Sequence, residues 1–371
     1  MKQLFILVLG LMCALASEAA GADKPWRFVD AQSLRIINKG FDDTERDYWR
    51  LPACLKDSVR PDLWARQQCS TGIGVRFATN SSRVGVRYQL LMNFHMLHMA
   101  DTGIKGTDLY VFEGDSVWRH ANSNRPKVNN TDEKICEAVY VSNVDTTRMT
   151  EYMIYLPLYD GIEKLEVKID SGAVITAGNP ELIDGSKRIV AYGTSILQGG
   201  CASRTGMVAT NILSRDLNME VVNLGFSGEG KMDSCMARAM AKIPDVAVYV
   251  LDPVPNCTQM MCDTLTYGFV NILRQARPDV PIVMVEGPIY PYARYDSYFR
   301  NYLPAKNAAF RRNYERLKAE NPDGLYYVDS VNLDGPEDDG TVDGIHLTDL
   351  GFKYYADKLR PILQSVLKNS H

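Results

Sequence analysis

Residues 188–195 read RIVAYGTS, an apolar run that stops at Gly193 and is followed two residues later by Ser195. A short apolar run bounded by glycine predicts a buried strand that ends at that glycine. A serine at this place is either the first polar residue of a turn or a nucleophile. The stretch alone does not decide between these roles, so the rest of the chain has to.

The chain after Ser186 alternates apolar runs with longer amphipathic stretches. Five such β-α units in succession predict a parallel sheet covered by helices on both faces. The predicted strands are 188–192, 221–224, 246–251, 281–286 and 325–329, and the predicted helices are 207–217, 232–243, 259–276, 296–319 and 349–367.

The preceding part of the chain has a different pattern. Short segments rich in β-branched and aromatic residues follow one another without a long helical period, which predicts an all-β sandwich. Residues 26–74 are expected to add irregular or edge structure to it. The clearest of these segments are VGVRYQLLM (84–92), TDLYVFEGD (107–115), AVYVSNV (138–144), EYMIYLPLY (151–159) and KLEVKID (164–170).

The first 22 residues are typical of a secretory signal peptide. One lysine precedes an apolar run from Leu4 to Ala16, and residues 20–22 read AGA, the A-x-A form of a cleavage site. The run is too short to span a membrane. We therefore expect a secreted or periplasmic protein with three parts: a signal peptide (1–22), a β-sandwich domain (23–180) and an α/β domain (186–371).

Composition excludes several functional classes. The 371 residues carry a net charge of −4, and 23% of them are charged. Without a basic stripe or a basic amphipathic helix, we expect no nucleic-acid partner and no binding to a membrane surface. Nothing in the sequence sets the oligomeric state.

The cysteines and the paired histidines leave alternatives open. Export permits disulfides, and the short-range candidates are Cys54 with Cys69 and Cys257 with Cys262. In HMLHM (95–99) two histidines could bind zinc, but without a matching cysteine or carboxylate pattern a solvated loop is favoured. We therefore expect neither a metal nor a cofactor.

Polar residues follow the predicted strands at the edge where open α/β sheets bind ligands. Ser195 follows the first strand, NLGFSGEG (223–230) follows the second, and Asn256 follows the third. Asp343 and His346 follow the last strand after a loop. If the topology is correct, these residues converge.

The histidine count identifies a base for the serine. Of five histidines only His346 and the terminal His371 lie in the α/β half, so His346 is the candidate. A serine nucleophile needs such a base, and the base needs a partner on its other nitrogen. Asp343 lies three residues earlier, and Gly344 allows a tight turn between them.

The negative charge that develops during acyl transfer also needs hydrogen-bond donors. The candidates are the backbone N–H of Ser195, the backbone N–H of Gly228 and the side chain of Asn256. Gly225 is the rival of Gly228, although it could serve only as a glycine in the turn that ends the strand.

This set of residues resembles the SGNH, or GDSL-type, hydrolases. Their blocks match a GxS after the first strand, an N-x-x-x-S-G block, an asparagine after the third strand and D-x-x-H near the C-terminus. The resemblance implies a flavodoxin-like three-layer α/β/α fold with a five-stranded parallel sheet. It also implies Ser195 as nucleophile, His346 as base, Asp343 as its partner, and Ser195, Gly228 and Asn256 as oxyanion-hole donors.

The first half of the chain adds to the resemblance. GTDLY (106–110) is similar to the G-x-D-L-Y signature of a jelly-roll-like β-sandwich that precedes such domains in some bacterial members. Asp108 and Tyr110 could touch a ligand, but a structural role at the domain interface is favoured. In YPYARYDSYF (290–299) a substrate-lining role and core packing are equally favoured.

Three positions depart from the family pattern. Thr194 stands where the GDSL block has aspartate, Asn256 is not in a G-x-N-D block, and Leu347 stands where proline is common. The role of Asn256 is therefore less secure than that of Ser195. The absence of a G-x-S-x-G elbow argues against the α/β-hydrolase fold.

These observations predict a secreted serine esterase that hydrolyses small acyl esters, in particular acetyl esters on carbohydrate. An acyltransferase would use the same acyl-enzyme and is the near alternative. A non-catalytic carbohydrate-binding or adhesion protein is the alternative from another class.

Overall fold

A computed structural model describes residues 25–114 and 117–369 of the chain. The predicted signal peptide lies outside the described residues. Within those ranges, no helix combines the length and the apolar character that crossing a membrane requires.

The first half of the described chain forms two antiparallel sheets packed face to face. The four-stranded sheet has the order β1-β9-β4-β7, and the six-stranded sheet has the order β10-β3-β8-β5-β6 with β2 also paired to β3. The strands are β1 (Trp26–Asp30), β2 (Arg35–Ile37), β3 (Gly74–Thr79), β4 (Val84–Leu90), β5 (Asp108–Phe112), β6 (Trp118–Ser123), β7 (Ile135–Val141), β8 (Thr150–Tyr155), β9 (Ile162–Asp170) and β10 (Ile175–Thr176).

Alternation of side chains along the strands builds the core of this sandwich. In β4 the residues Val84, Val86, Tyr88 and Leu90 are fully buried, whereas Arg87 between them is partly exposed. Such a period of two places every second side chain in the core. The predicted β-sandwich is confirmed. Two short helices also lie in this half, α1 (Pro61–Gln67) and α2 (Asp101–Ile104).

The second half is a five-stranded parallel sheet with the order β12-β11-β13-β14-β15. Its strands are β11 (Asp184–Gly193), β12 (Met219–Gly225), β13 (Val246–Asp252), β14 (Ile282–Val285) and β15 (Leu325–Val328). This order is the flavodoxin-like one, so the predicted fold class is confirmed.

Helices cover both faces of this sheet, which explains why its central strands are continuous apolar runs. All seven residues of β13 are buried. The helices are α3 (Ser195–Gln198), α4 (Ala209–Leu217), α5 (Ser234–Met240), α6 (Gln259–Ala276), α7 (Ser297–Glu320) and α8 (Asp349–Asn369).

Residues 38–72 pack against the α/β half, although the sequence pattern assigns them to the sandwich. Trp49, Leu51 and Leu63 share one buried cluster with Val222 and Leu224 of β12. The amide side chain of Asn38 accepts a hydrogen bond of 2.9 Å from the backbone N–H of Val221. The two halves of the chain therefore share a hydrophobic core, which a reading of local periodicity cannot detect.

We propose residues 23–180 and 186–371 as the two domains, joined by residues 177–187, which are exposed or partly exposed apart from the buried Ile183. Limited proteolysis should cut within 177–187. Because of the shared core, the two fragments should then stay associated in size-exclusion chromatography and separate only in denaturant. Fragments that separate without denaturant would show that each half has an independent core.

Candidate active site

Ser195 lies at the carboxyl end of β11, where the sheet gives way to the short helix α3. The side chain of Thr194 caps this helix by accepting a hydrogen bond from the backbone N–H of Ile196. Thr194, which replaces the aspartate of the GDSL block, therefore still supplies a side chain that caps the helix. The Ser195 hydroxyl oxygen lies 2.9 Å from Nε2 of His346.

A carboxylate holds the other nitrogen of this imidazole. Nδ1 of His346 lies 2.8 Å from Oδ2 of Asp343. Since an ionised carboxylate can only accept, Nδ1 carries the proton and Nε2 is left to accept the hydroxyl proton of Ser195. The three predicted residues are therefore joined by two hydrogen bonds.

Hydrogen bonds between the Asp343 side chain and the backbone fix the turn that carries this residue. Oδ1 of Asp343 accepts hydrogen bonds from the backbone N–H groups of Ile345 (3.0 Å) and His346 (2.8 Å). Gly344 has a φ of +85°, a conformation that suits glycine. Burial alone would raise the pKa of the Asp343 carboxyl, but the bonds from His346 and Ile345 hold this pKa below its usual value.

Backbone hydrogen bonds attach the histidine loop to the segment after α3. The N–H of Leu347 donates to the carbonyl oxygen of Gly200 (3.1 Å), and the N–H of Cys201 donates to the carbonyl oxygen of Leu347 (2.9 Å). A proline at position 347 would lack the first donor. The departure from the family pattern thus adds a hydrogen bond next to the catalytic candidates.

The predicted oxyanion donors lie in segments that meet beside Ser195. Gly228 has a φ of +75°, and a Cβ at this glycine would meet no atom within 4 Å, so its backbone borders open space. The amide oxygen of Asn256 accepts a hydrogen bond of 3.2 Å from the N–H of Gly230. That bond leaves the Asn256 NH₂ group free to donate elsewhere. Gly230 in turn packs directly on the carbonyl group of Gly193.

Gly225, the rival of Gly228, is engaged in packing. Its N–H donates to the side chain of Asn223 (2.9 Å), and a Cβ there would lie 2.3 Å from the backbone nitrogen of Gln198. In the described part of the chain, the backbone N–H groups of Gly228 and Ser195 have no such acceptor. Gly228 is therefore the better placed of the two glycines to donate to a substrate.

Two arginines that the sequence analysis did not single out hold the loop that carries Gly228. Arg50 is buried, and its Nη1 donates to the carbonyl oxygen of Gly225 (2.6 Å). Arg60 pairs with the carboxylate of Glu229 and donates to the backbone oxygen of the same residue (3.0 Å). Arg60 also bonds Asp233 through two nitrogens. Both arginines precede β3, more than 160 residues before the loop, so no local pattern could have revealed them.

Replacing Arg60 by glutamine should slow catalysis without preventing binding. The loop would lose its anchor at Glu229, and displaced donors stabilise the transition state less well, so we expect kcat to fall about tenfold with a smaller change in KM. Steady-state kinetics with p-nitrophenyl acetate measure this. Arg46→Gln, which breaks an exposed pair with Glu163, is the matched control. Equal kinetics of both variants would contradict a positioning role of Arg60.

The sandwich contacts the active-site half through the GTDLY segment and a nearby tyrosine. The carboxylate of Asp108 accepts hydrogen bonds from the N–H of Gly206 and from Arg204, both at 2.8 Å. The hydroxyl group of Tyr110 accepts another from Arg204 (2.7 Å). These contacts fit the structural role favoured for the signature. Tyr159 reaches further and donates to the backbone oxygen of Ser195 (3.2 Å).

The aromatic segment 290–299 divides into a packed part and an exposed part. Tyr290 is buried and stacks on Tyr292, whose ring lies against Gly344 of the histidine turn. Tyr295 and Tyr298 are exposed. Core packing therefore applies to Tyr290, whereas a substrate-lining role of the exposed residues stays a prediction. A cleft of about 650 Å³ lies elsewhere, near the amino ends of β11 and β13, and no residue of the triad lines it.

The described cysteines are all free thiols. Of the two candidate pairs, Cys257 and Cys262 are in direct contact through their thiol groups. Cys54 is exposed and Cys69 is buried.

A buried carboxyl group near the site gives the protein a pH-dependent stability. Desolvation raises the pKa of Asp252 to about 8, against the opposing hydrogen bond from the hydroxyl group of Tyr355. Because the pKa of Asp252 is higher in the folded than in the unfolded protein, the neutral carboxyl group adds to the free energy of unfolding. This addition is fully present below about pH 4 and is lost as the pH rises towards 8.

Replacing Asp252 by asparagine should remove this loss, because the amide does not ionise. The advantage of Asp252→Asn in unfolding free energy should grow by up to roughly 1.4 kcal/mol per pH unit between pH 4 and 8. Denaturant unfolding of the wild type and the variant at several pH values measures it. Parallel stability profiles would show that the carboxyl group of Asp252 does not titrate in this range.

Two family models match this chain. The family model described as GDSL-like lipase/acylhydrolase matches residues 186–364. A model of the GxDLY N-terminus of SGNH-hydrolase-type esterases matches residues 26–175. A comparison with curated protein sequences found no significant match.

Solved structures extend the comparison to nearly the whole chain. A GDSL-like lipase from Bacteroides ovatus is 32% identical, with a TM-score of 0.85 over 93% of this chain and 98% of that one. A salicylyl-acyltransferase from a tetracycline biosynthetic pathway (17% identity, TM-score 0.73, 92% and 97% coverage) shares the fold. So does a family two carbohydrate esterase from Clostridium thermocellum in complex with cellohexaose (12% identity, TM-score 0.56, 80% and 93% coverage). The chain belongs to the family of GDSL-like lipases and acylhydrolases, enzymes of the SGNH type, and carries the GxDLY N-terminal region of that family's esterases.

Proposed function

We propose that this acylhydrolase is a secreted serine esterase that removes small acyl groups, in particular acetyl groups, from carbohydrate. The single observation that carries the proposal is the chain of hydrogen bonds from Asp343 through His346 to Ser195, at 2.8 and 2.9 Å. This arrangement is what a serine needs to act as a nucleophile near neutral pH.

In the proposed first step, Oγ of Ser195 attacks the ester carbonyl carbon while Nε2 of His346 takes the hydroxyl proton. The imidazolium that forms is stabilised by the carboxylate of Asp343 on Nδ1. The N–H groups of Ser195 and Gly228 and the side-chain NH₂ of Asn256 donate hydrogen bonds to the carbonyl oxygen and stabilise its negative charge.

The tetrahedral intermediate then collapses. His346 returns its proton to the leaving alcohol, and the acyl group stays on Ser195. A water molecule, deprotonated by His346, then attacks the acyl carbon. As the bond to Oγ breaks, His346 returns the proton to Ser195, which releases the acid and restores the free serine.

The proposal also specifies the acyl group, acetyl, and the substrate class, carbohydrate. The carbohydrate-esterase fold neighbour in complex with cellohexaose supports a glycan substrate. The contact of the sandwich with the active-site half, through Asp108, Tyr110 and Tyr159, supports a site to which both halves contribute. The signal-like residues 1–22 support export.

Release of p-nitrophenol from p-nitrophenyl esters of increasing acyl length tests the esterase and its preference for acetate. Release of acetate from acetylated xylan and acetylated cellulose oligosaccharides tests whether acetylated carbohydrate is a substrate. We expect the acetyl ester to be the best of the simple esters. A preference for long acyl chains would contradict the small-acyl proposal, and activity on simple esters alone would contradict the carbohydrate proposal.

Transfer to an acceptor other than water is the second candidate, and the acyltransferase fold neighbour favours keeping it. Both reactions share the acyl-enzyme and differ only in what resolves it. Product analysis in the presence of added sugar alcohols separates them. We expect free acetate as the main product. Acetylated sugar alcohol as the main product would favour an acyltransferase.

A further inference from the structure

Three potential metal ligands from three separate segments meet at the active site. The ligand atoms of His98, Cys201 and His346 all lie within 4.8 Å of one another. His98 comes from the loop between β4 and α2, Cys201 follows α3, and His346 belongs to the turn after β15. The sequence pattern could not show this cluster, because the cysteine that completes it lies 103 residues after His98.

The cluster is exposed at His98, partly buried at His346 and buried at Cys201. Cys201 is held by the hydrogen bond from its N–H to Leu347, next to His346. The ring of His98 lies 5.6 Å from the ring of His346, and its side chain is 40% exposed. Nε2 of His98 is also 4.0 Å from Oδ2 of Asp343. An ion can therefore enter from solvent on the side of His98.

Two imidazoles and one thiol, which binds as a thiolate after releasing its proton to solvent, form a donor set that suits zinc. Zinc takes nitrogen ligands at about 2.1 Å and sulfur at about 2.3 Å, usually in a tetrahedron whose ligand atoms lie roughly 3.4 to 3.6 Å apart. The present ligand atoms lie within 4.8 Å of one another, and rotation of the exposed His98 side chain can change its distances to the other two. A water molecule or the carboxylate of Asp343 can take the fourth position.

We propose that His98, Cys201 and His346 bind a Zn²⁺ ion that inhibits the enzyme reversibly. The inhibition rests on the proposed role of His346 as the base, whereas the binding does not. Both ring nitrogens of His346 are in use, one on Asp343 and one on Ser195. Coordination through either nitrogen breaks one of these bonds, so the ion and the catalytic hydrogen-bond chain exclude each other.

Zinc titration of esterase activity tests the inhibition. Each variant is compared with its own zinc-free rate on p-nitrophenyl acetate, and a chelator should restore the rate. His98→Gln and Cys201→Ser should each raise the inhibitory zinc concentration about tenfold or more, because each removes a ligand. His95→Gln is the matched control, since His95 lies in the same loop but bonds Asp101, and it should leave the inhibition unchanged.

Binding is measured separately, so that failure of the proposed function does not affect it. Ser195→Ala protein with Co²⁺ in place of zinc should show a thiolate-to-cobalt absorption band, which Cys201→Ser should abolish and His98→Gln should weaken. Absence of esterase activity from the wild-type protein, with this band intact in the Ser195→Ala protein, would overturn only the proposed function. A cobalt spectrum without the band, or zinc inhibition that is equal in the wild type, His98→Gln and Cys201→Ser, would overturn the metal site.

Discussion

Replacing Ser195 by alanine should abolish ester hydrolysis and leave the fold intact. The side chain is small, and among the described residues its hydroxyl group bonds only to His346, so alanine fits the same space at the end of β11. Loss of the nucleophile of a triad costs orders of magnitude, and we expect kcat to fall at least about 10³-fold. Steady-state kinetics with p-nitrophenyl acetate, together with a thermal unfolding curve, measure both parts of the prediction.

Ser203→Ala is the matched control for this change. Ser203 lies near the same end of the sheet, but its hydroxyl group bonds Asp349 of α8 rather than the histidine. Its kinetics should be close to those of the wild type. Residual activity of Ser195→Ala above about one-hundredth of the wild type would indicate another nucleophile, because removal of a triad member costs far more.

Replacing Asp343 by asparagine should have the second largest effect. The amide no longer enforces a proton on Nδ1 of His346, and it cannot stabilise the imidazolium that forms during attack. We expect kcat to fall by about 10³- to 10⁴-fold while KM changes little, because the interaction strengthens only as charge develops. The same assay separates kcat from KM.

The neighbouring acidic residues provide the controls for this second prediction. Asp338 pairs with the exposed Arg294, and the backbone oxygen of Asp339 accepts a hydrogen bond from the hydroxyl group of Thr348. Asp338→Asn and Asp339→Asn should therefore do little. If either one is as damaging as Asp343→Asn, the partner of the histidine has been misassigned.

Much of the fold could be predicted from the sequence because its signals are local. Each strand of the parallel sheet contains a short apolar run, and the longer helices between the strands are amphipathic. Asp343 and His346 are three residues apart, so their contact is also a local property. Ser195 could be connected with them because parallel strands end at the same edge of a sheet.

The remainder depends on contacts that no local pattern encodes. Arg50 and Arg60 hold the Gly228 loop from a distant segment that has no strand or long helix around it. In the sequence, His98 belongs to an isolated pair of histidines. Cys201, which lies beside it in the structure, is distant in the chain. In the sequence, Leu347 is recognisable only as a departure from the proline that is common in the family. The structure shows that its N–H donates to the carbonyl oxygen of Gly200.

The central claim is that Ser195 carries the acyl group during catalysis, and rapid acid quench tests it most directly. The enzyme is mixed with p-nitrophenyl acetate, quenched within the first turnover, digested and analysed by tandem mass spectrometry. A burst of p-nitrophenol with one acetyl group on Ser195 is the result that we predict. Turnover with Ser195 unmodified and the acetyl group on another side chain would contradict the account.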